Sequence, residues 1–106
     1  MIRGTTPTEV YKIDNTDVNL SDCKQIWVTI VDWSTKEFTW DLSRLTIDNT
    51  EKTISLTLTQ EETLAFTPGG AYAQLRFLYN DDSAFASKRI GFNIEDVKKG
   101  GVITSE

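Results

Sequence analysis

The chain has 106 residues and a formal net charge of −5, with a pI near 4.7. That length fits one domain around one core, and the acidic balance opposes docking on nucleic-acid phosphates or anionic lipid. There is no histidine and a single cysteine, Cys23; this removes Ser-His-Asp and Cys-His catalysis and the usual zinc ligand sets. The expectation is therefore a non-enzyme with no catalytic residue, no metal and no cofactor, in which Cys23 is a small packing residue.

The first expected strand covers residues 8–13, entered through Pro7, which lacks an N–H and suits a strand entry or edge. A polar turn follows at 14–17. The second strand carries Ile26, Val28 and Ile30 on one face and Trp27, Thr29, Val31 and Trp33 on the other. Apolar residues on both faces suit a central strand or a covered face. Ser34-Thr35-Lys36 turns the chain into a third strand at 37–42, with Phe38, Trp40 and Leu42 on one side. Leu45 and Ile47 mark a short fourth strand, and Asp48-Asn49-Thr50-Glu51 forms a turn. Residues 53–58 alternate, with Ile54, Leu56 and Leu58 inward.

Thr59-Gln60-Glu61-Glu62 then matches a capping box, predicting one or two helical turns over 60–65, closed by Pro68-Gly69-Gly70. A sixth strand is expected at 72–79, a hairpin turn at 80–83 and a seventh strand at 85–94 whose register Lys88 disturbs. Residues 1–7 read as an N-terminal arm and 96–106 as a flexible tail. About seven antiparallel strands with regular turn signals predict a single immunoglobulin-like β-sandwich over 1–106; a partly open barrel is the alternative.

No segment approaches the ~20 apolar residues of a membrane helix. The opening lacks the apolar core of a secretory signal, so the expected setting is a cytoplasm. Three loops rich in oxygen donors, Asp14/Asn15/Asp17, Asp48/Asn49/Glu51 and Asn80/Asp81/Asp82, could in principle gather calcium. None has the spacing of an EF-hand loop, and Asp and Asn are ordinary turn formers. Trp27 and Trp33, if outward, would form an exposed indole pair suited to a protein contact or to stacking against sugar rings.

The opening Ile2-Arg3-Gly4-Thr5-Thr6-Pro7-Thr8 resembles the start of a small family of proteins of unassigned activity encoded in phages and prophages of Gram-positive bacteria. The run from Leu56 to Phe66, with its Leu-Thr-Gln-Glu-Glu-Thr-Leu core, resembles the family's middle segment. Ala73-Gln74-Leu75-Arg76-Phe77-Leu78 and a last strand with Ala86-Ser87 resemble later ones. Together these cover about half the chain, in the family's order; the tryptophan-rich second and third strands depart from it. The resemblance implies a phage structural or accessory protein from the tail or baseplate neighbourhood, and no catalytic residue. Its expected partners are other phage proteins, with a possible homo-oligomer, and its location is the virion or the host cytoplasm before assembly. The expected contact residues are Arg3, Trp27 and Trp33. The alternatives are a carbohydrate-binding module that aids adsorption and an acidic prophage inhibitor of a host enzyme.

Overall fold

The computed structural model describes residues 1–14 and 18–105. Two antiparallel sheets pack face to face. One has the order β1 (Thr8–Lys12), β5 (Thr53–Thr57), β4 (Leu45–Asp48). The other has the order β3 (Glu37–Trp40), β2 (Cys23–Val31), β6 (Gly69–Tyr79), and then β7 (Ala84–Ala86) and β8 (Ile90–Ile94), which follow one another along the far side of β6. This all-β sandwich has the immunoglobulin strand order: β1, β5 and β4 take the places of strands B, E and D, and β3, β2, β6 and β7/β8 those of C′, C, F and G. Strand A is reduced to a parallel bridge between Ile2 and Glu95.

Alternation in β2 and β6 sets the layers. Ile26, Val28 and Ile30 of β2 and Ala73, Leu75 and Phe77 of β6 are buried, facing Ile54 and Leu56 of β5. Phe66 closes one end of this core, with its ring edge-on to Phe38 at 4.8 Å. Each large side chain so buried contributes roughly 1.5–3 kcal/mol relative to exposure, which sustains the fold without a disulfide. Cys23 is half-buried against the core, and burial pushes its thiol pKa up, away from the reactive thiolate.

The helical turn α1 (Gln60–Leu64) joins the sheets at the predicted place. Thr59 caps it, accepting from Glu62 N–H, while Glu62 Oε1 accepts from Thr59 N–H at 2.9 Å.

Four differences from the sequence expectation exceed a single residue. Strand β2 ends at Val31, so Trp33 lies in the following turn. Strand β3 ends at Trp40, and Leu42–Arg44 form a 3-10 turn capped by Asp41. Strand β6 starts at Gly69, where pairing with β8 outweighs the breaker signal of Pro68-Gly69-Gly70. The expected seventh strand is two, β7 and β8. Between them Ser87 Oγ accepts from Leu75 N–H and donates to Lys88 O, while Gln74 Nε2 donates to Ser87 O, so side chains replace part of the ladder. The expected turn at 14–17 falls largely outside the described residues.

The terminal segments are docked. Arg3 N–H donates to Glu95 O at 2.9 Å, Glu95 N–H donates to Met1 O, and Thr63 Oγ1 donates to Thr5 O. The arm thus crosses to the edge of β8 and to α1. The tail, expected to be loose, packs Val97 half-buried beside Gly4, and its Ile103 backbone exchanges two hydrogen bonds with the Gln60 side chain. Deleting residues 1–6 should leave a folded domain weakened by about 2 kcal/mol, or about 10 °C in Tm, because several partly exposed hydrogen bonds are lost and the core is not. Circular dichroism melts check this; an unfolded product would make the arm part of the cooperative core.

Candidate functional site

The outer face of the five-stranded sheet holds the unusual chemistry. On β2 run Trp27, Thr29 and Val31; opposite them on β6 stand Arg76, Gln74 and Tyr72. Thr29 and Thr39 of β3 share a hydroxyl hydrogen bond at 2.9 Å. The Arg89 guanidinium sits 4.4 Å over the Tyr72 ring, a cation–π contact that fixes both groups. Val31, though outward, is buried.

The end of this face is built by Asp32. Its carboxylate is fully enclosed. Oδ1 accepts from Ser34 N–H, Ser34 Oγ and Lys36 N–H, and Oδ2 accepts from Thr67 N–H at 2.9 Å. Lys36 Nζ stands 3.8 Å from Oδ2 and donates to Ala65 O. One side chain thereby ties the β2–β3 turn to the segment between α1 and β6. Burial by itself would raise the Asp32 pKa; the hydrogen bonds from Thr67, Ser34 and Lys36 outweigh it and hold the pKa below the ordinary carboxylate value. The same turn places Thr35 at φ 69°, a conformation that a β-branched residue adopts only under surrounding constraint.

That turn presents Trp33. Its indole lies along the chain at Gly69 and Gly70 and stays 69% exposed. Gly69 has φ 128°, and a Cβ there would come within 3.0 Å of the Trp33 Cβ, so only glycine admits the indole. Trp27 is half-buried. The two indoles do not share a strand face: Trp27 lies at the middle of β2 and Trp33 in the turn beyond its end. Arg3 is beside neither. Its guanidinium pairs with Asp96 at 2.6 Å and donates to Leu64 O at 2.7 Å, holding the arm to α1 and the tail.

A second polar cluster lies at the far end of β3, against α1. Glu62 accepts from Arg44 through both carboxylate oxygens, at 2.8 and 2.9 Å, and from Trp40 Nε1 at 2.6 Å. Arg44 also donates to Thr57 O. The Arg44 hydrogen bonds, aided by those from Thr59 and Trp40, lower the Glu62 pKa to about 2 against the opposing effect of burial. Asp32 and Glu62 are thus ionised at neutral pH with their oxygens engaged, and neither is a proton donor there.

The remaining acidic loops use their oxygens within the chain. Asp48 accepts from Thr50 and Glu51 N–H, Asn49 from Leu20 N–H, and Asp81 from Ser83; Asp82 pairs with Lys24. Asn15 and Asp17 lie outside the described residues. Among the described residues no group of three or more acidic or cysteine side chains is arranged to hold a metal ion, and no helix is long and apolar enough to cross a membrane.

Sequence reasoning found both indoles but not the two knots that shape the site. Asp32-Trp33-Ser34 carries the Asx-turn signal that could have revealed the first. The Arg44–Glu62 pair has no local signal. Replacing Trp33 with alanine should change stability by less than about 1 kcal/mol, whereas Trp40→Ala, which empties a core site, should cost about 3–5 kcal/mol. Urea melts of the two variants make the comparison, and a Trp33→Ala loss above that of Trp40→Ala would place Trp33 in the packing of the fold. Comparison with protein families, with curated proteins and with solved structures found no match.

Proposed function

We propose that the chain is a non-enzymatic interaction module of a phage or prophage, in or beside the tail or baseplate, that docks on other phage proteins through the outer face of its five-stranded sheet. Trp33 carries the docking reading. An indole 69% exposed yet fixed in position by a glycine pair and by the Asp32 knot is an anchor whose ordering is complete before a partner arrives. Tyr72 and Arg89 extend that anchor into an aromatic and cationic strip. Support for a phage source is the likeness of the opening, the Leu56–Phe66 run and the Ala73–Leu78 run to the phage and prophage family. Support for a non-enzymatic role is the lack of histidine, together with the Asp32 and Glu62 carboxylates already engaged in hydrogen bonds.

Mass spectrometry of purified particles from an induced lysogen tests the assignment. The chain is expected at a fixed copy number per particle, and a Trp33→Ala, Trp27→Ala double variant is expected to be folded but missing from particles. Absence of the wild-type chain from particles, with normal tails in a deletion strain, would refute it. Binding of purified protein to cell-wall glycans, lost in the same variant, would favour the carbohydrate reading instead.

A further inference from the structure

The outer face of the five-stranded sheet is ordered in rows that run across its strands. In one row Glu37 of β3 stands beside Val31 of β2, then Tyr72 of β6, then Gly91 of β8, and Arg89 lies over the Tyr72 ring. The next row places Thr29 beside Gln74, and the one after it Trp27 beside Arg76. Charge divides across this face. Its β3 side exposes Glu37 and Asp41, and its β6 and β8 side exposes Arg76 and Arg89. Among the described residues none of these four forms an ion pair within the chain. Neighbouring charges lie off the rows. Lys36 donates to Ala65 O, Lys88 lines the cleft toward β1, and Glu95 stands four positions past Gly91. The N-terminal arm bonds to β8 from Asn93 onward, past these rows.

We infer that a second copy covers these rows, related to the first by a two-fold axis that runs along the strands between β2 and β6. The inference rests on the reading of this face as a docking surface. It assigns the strand rows to the second copy and leaves the Trp33 end for a further protein. Rotation about that axis lays each row on the same row reversed, so β2 of one copy meets β6 of the other. The reversed rows match in chemistry. Trp27 meets Arg76 of the second copy, a cation on a ring. Thr29 meets Gln74, hydroxyl against amide. Glu37 meets Arg89, whose N–H groups suit a carboxylate. An axis across the strands would instead set Glu37 against Asp41 and Arg76 against Arg89, and like charges oppose it. Stacked sheets lie about 10 Å apart and are rotated by about 30°, an offset that side chains as long as those of Glu37 and Arg89 span. Four strands of about seven residues give a footprint of roughly 20 Å by 20 Å. That is at the small end of specific interfaces, so the expected dissociation constant is micromolar. The same axis carries both Trp33 turns to one end of the dimer, where a third protein would meet two anchors at once.

Analytical ultracentrifugation of the full chain tests it. Wild type is expected to pass from 12.0 kDa monomer to dimer at micromolar concentration and to stop there, because a two-fold contact is closed. Glu37→Arg and Arg89→Glu each set like charges against one another at both copies of one contact, and each should raise the dissociation constant about tenfold or more. The double variant Glu37→Arg/Arg89→Glu restores unlike charges at both contacts, as does an equimolar mixture of the two single variants, and both should dimerise as wild type does. Within one chain the two residues are three strand spacings apart, roughly 14 Å, so the rescue reports a contact between copies. Lys12→Glu, on β1, has the net charge of Arg89→Glu and should leave dimerisation unchanged. All substituted residues are exposed, and circular dichroism melts confirm folding before comparison. A wild type that stays monomeric at millimolar concentration overturns the inference while leaving the Trp33 reading, which is tested in particles, in place. Growth past a dimer overturns it too, as do single variants that dimerise like wild type, a double variant no better than the singles, or a Lys12→Glu loss equal to that of Arg89→Glu.

Discussion

Replacing Asp32 with alanine is expected to lower stability by about 3–4 kcal/mol, an effect usually reserved for core truncations. The carboxylate accepts from three backbone N–H groups, those of Ser34, Lys36 and Thr67, and from one hydroxyl, within an enclosed site. Alanine leaves those donors without their acceptor in a space shaped to exclude solvent. Asparagine is the sharper test. Its single carbonyl oxygen can keep the Ser34 and Lys36 contacts, but its amide then opposes the Thr67 N–H, and about 1–2 kcal/mol should be lost. Urea unfolding at pH 7 orders the three proteins, and a loss under 1 kcal/mol for Asp32→Ala would mean that water substitutes freely for the carboxylate. The knot also orients Trp33, so Asp32→Asn should weaken docking through the outer face more than its stability change alone explains.

The layers of this fold were readable because its core strands obey a local rule. Ile26-Val28-Ile30 and Ala73-Leu75-Phe77 alternate, and alternation is what a half-buried strand imposes on sequence. The capping box at Thr59 was readable for the same reason, since its four residues are contiguous. What escaped were features made by residues far apart. The arm bonds to a strand 92 positions away, from Met1 to Asn93. Gly69 and Gly70 look like punctuation but sit inside β6, because their missing side chains make room for Trp33, which no window around them contains. Lys88 did signal trouble in the last strand. It could not show that Ser87 would fill the break by bonding to Leu75.

The candidate site divides along the same line. Trp27 was expected to face outward from the parity of β2, and it does, half-covered. Trp33 was expected on the same strand face and is instead in the turn beyond it, because Asp32 folds the chain back on itself two residues earlier than alternation alone would allow. Arg3 was expected to be a contact residue as part of the opening arm; its partners within the chain, Asp96 and the Leu64 carbonyl, come from the other end of the chain and from α1. The cleft lined by Lys12 and Lys88 is a tertiary feature of this kind too. Lys12 and Lys88 belong to opposite sheets and meet only once the sandwich closes.

Acid should unfold this protein in a manner that one residue largely controls. Glu62 has a folded pKa of about 2 and an unfolded value near 4.3. A carboxylate whose pKa is depressed by folding stabilises the fold above its unfolded pKa and loses that contribution as pH falls toward its folded one. The stability curve should therefore decline between pH ~4.5 and ~2, and Asp32, depressed in the same direction, adds to the slope. The Glu62 share is about 2 kcal/mol, below the full linkage value because Arg44 is partly in water. Glu62→Gln isolates it. Glutamine still fits the capping box and can accept from one donor, but it carries no charge for Arg44 and does not titrate. The variant is expected to start about 2 kcal/mol less stable at pH 7 and to lose less between pH 4.5 and 2 than wild type, so that the two curves converge at low pH. Parallel curves over that range would show that Glu62 does not couple to folding, and that the acid transition belongs to Asp32 and the exposed carboxylates.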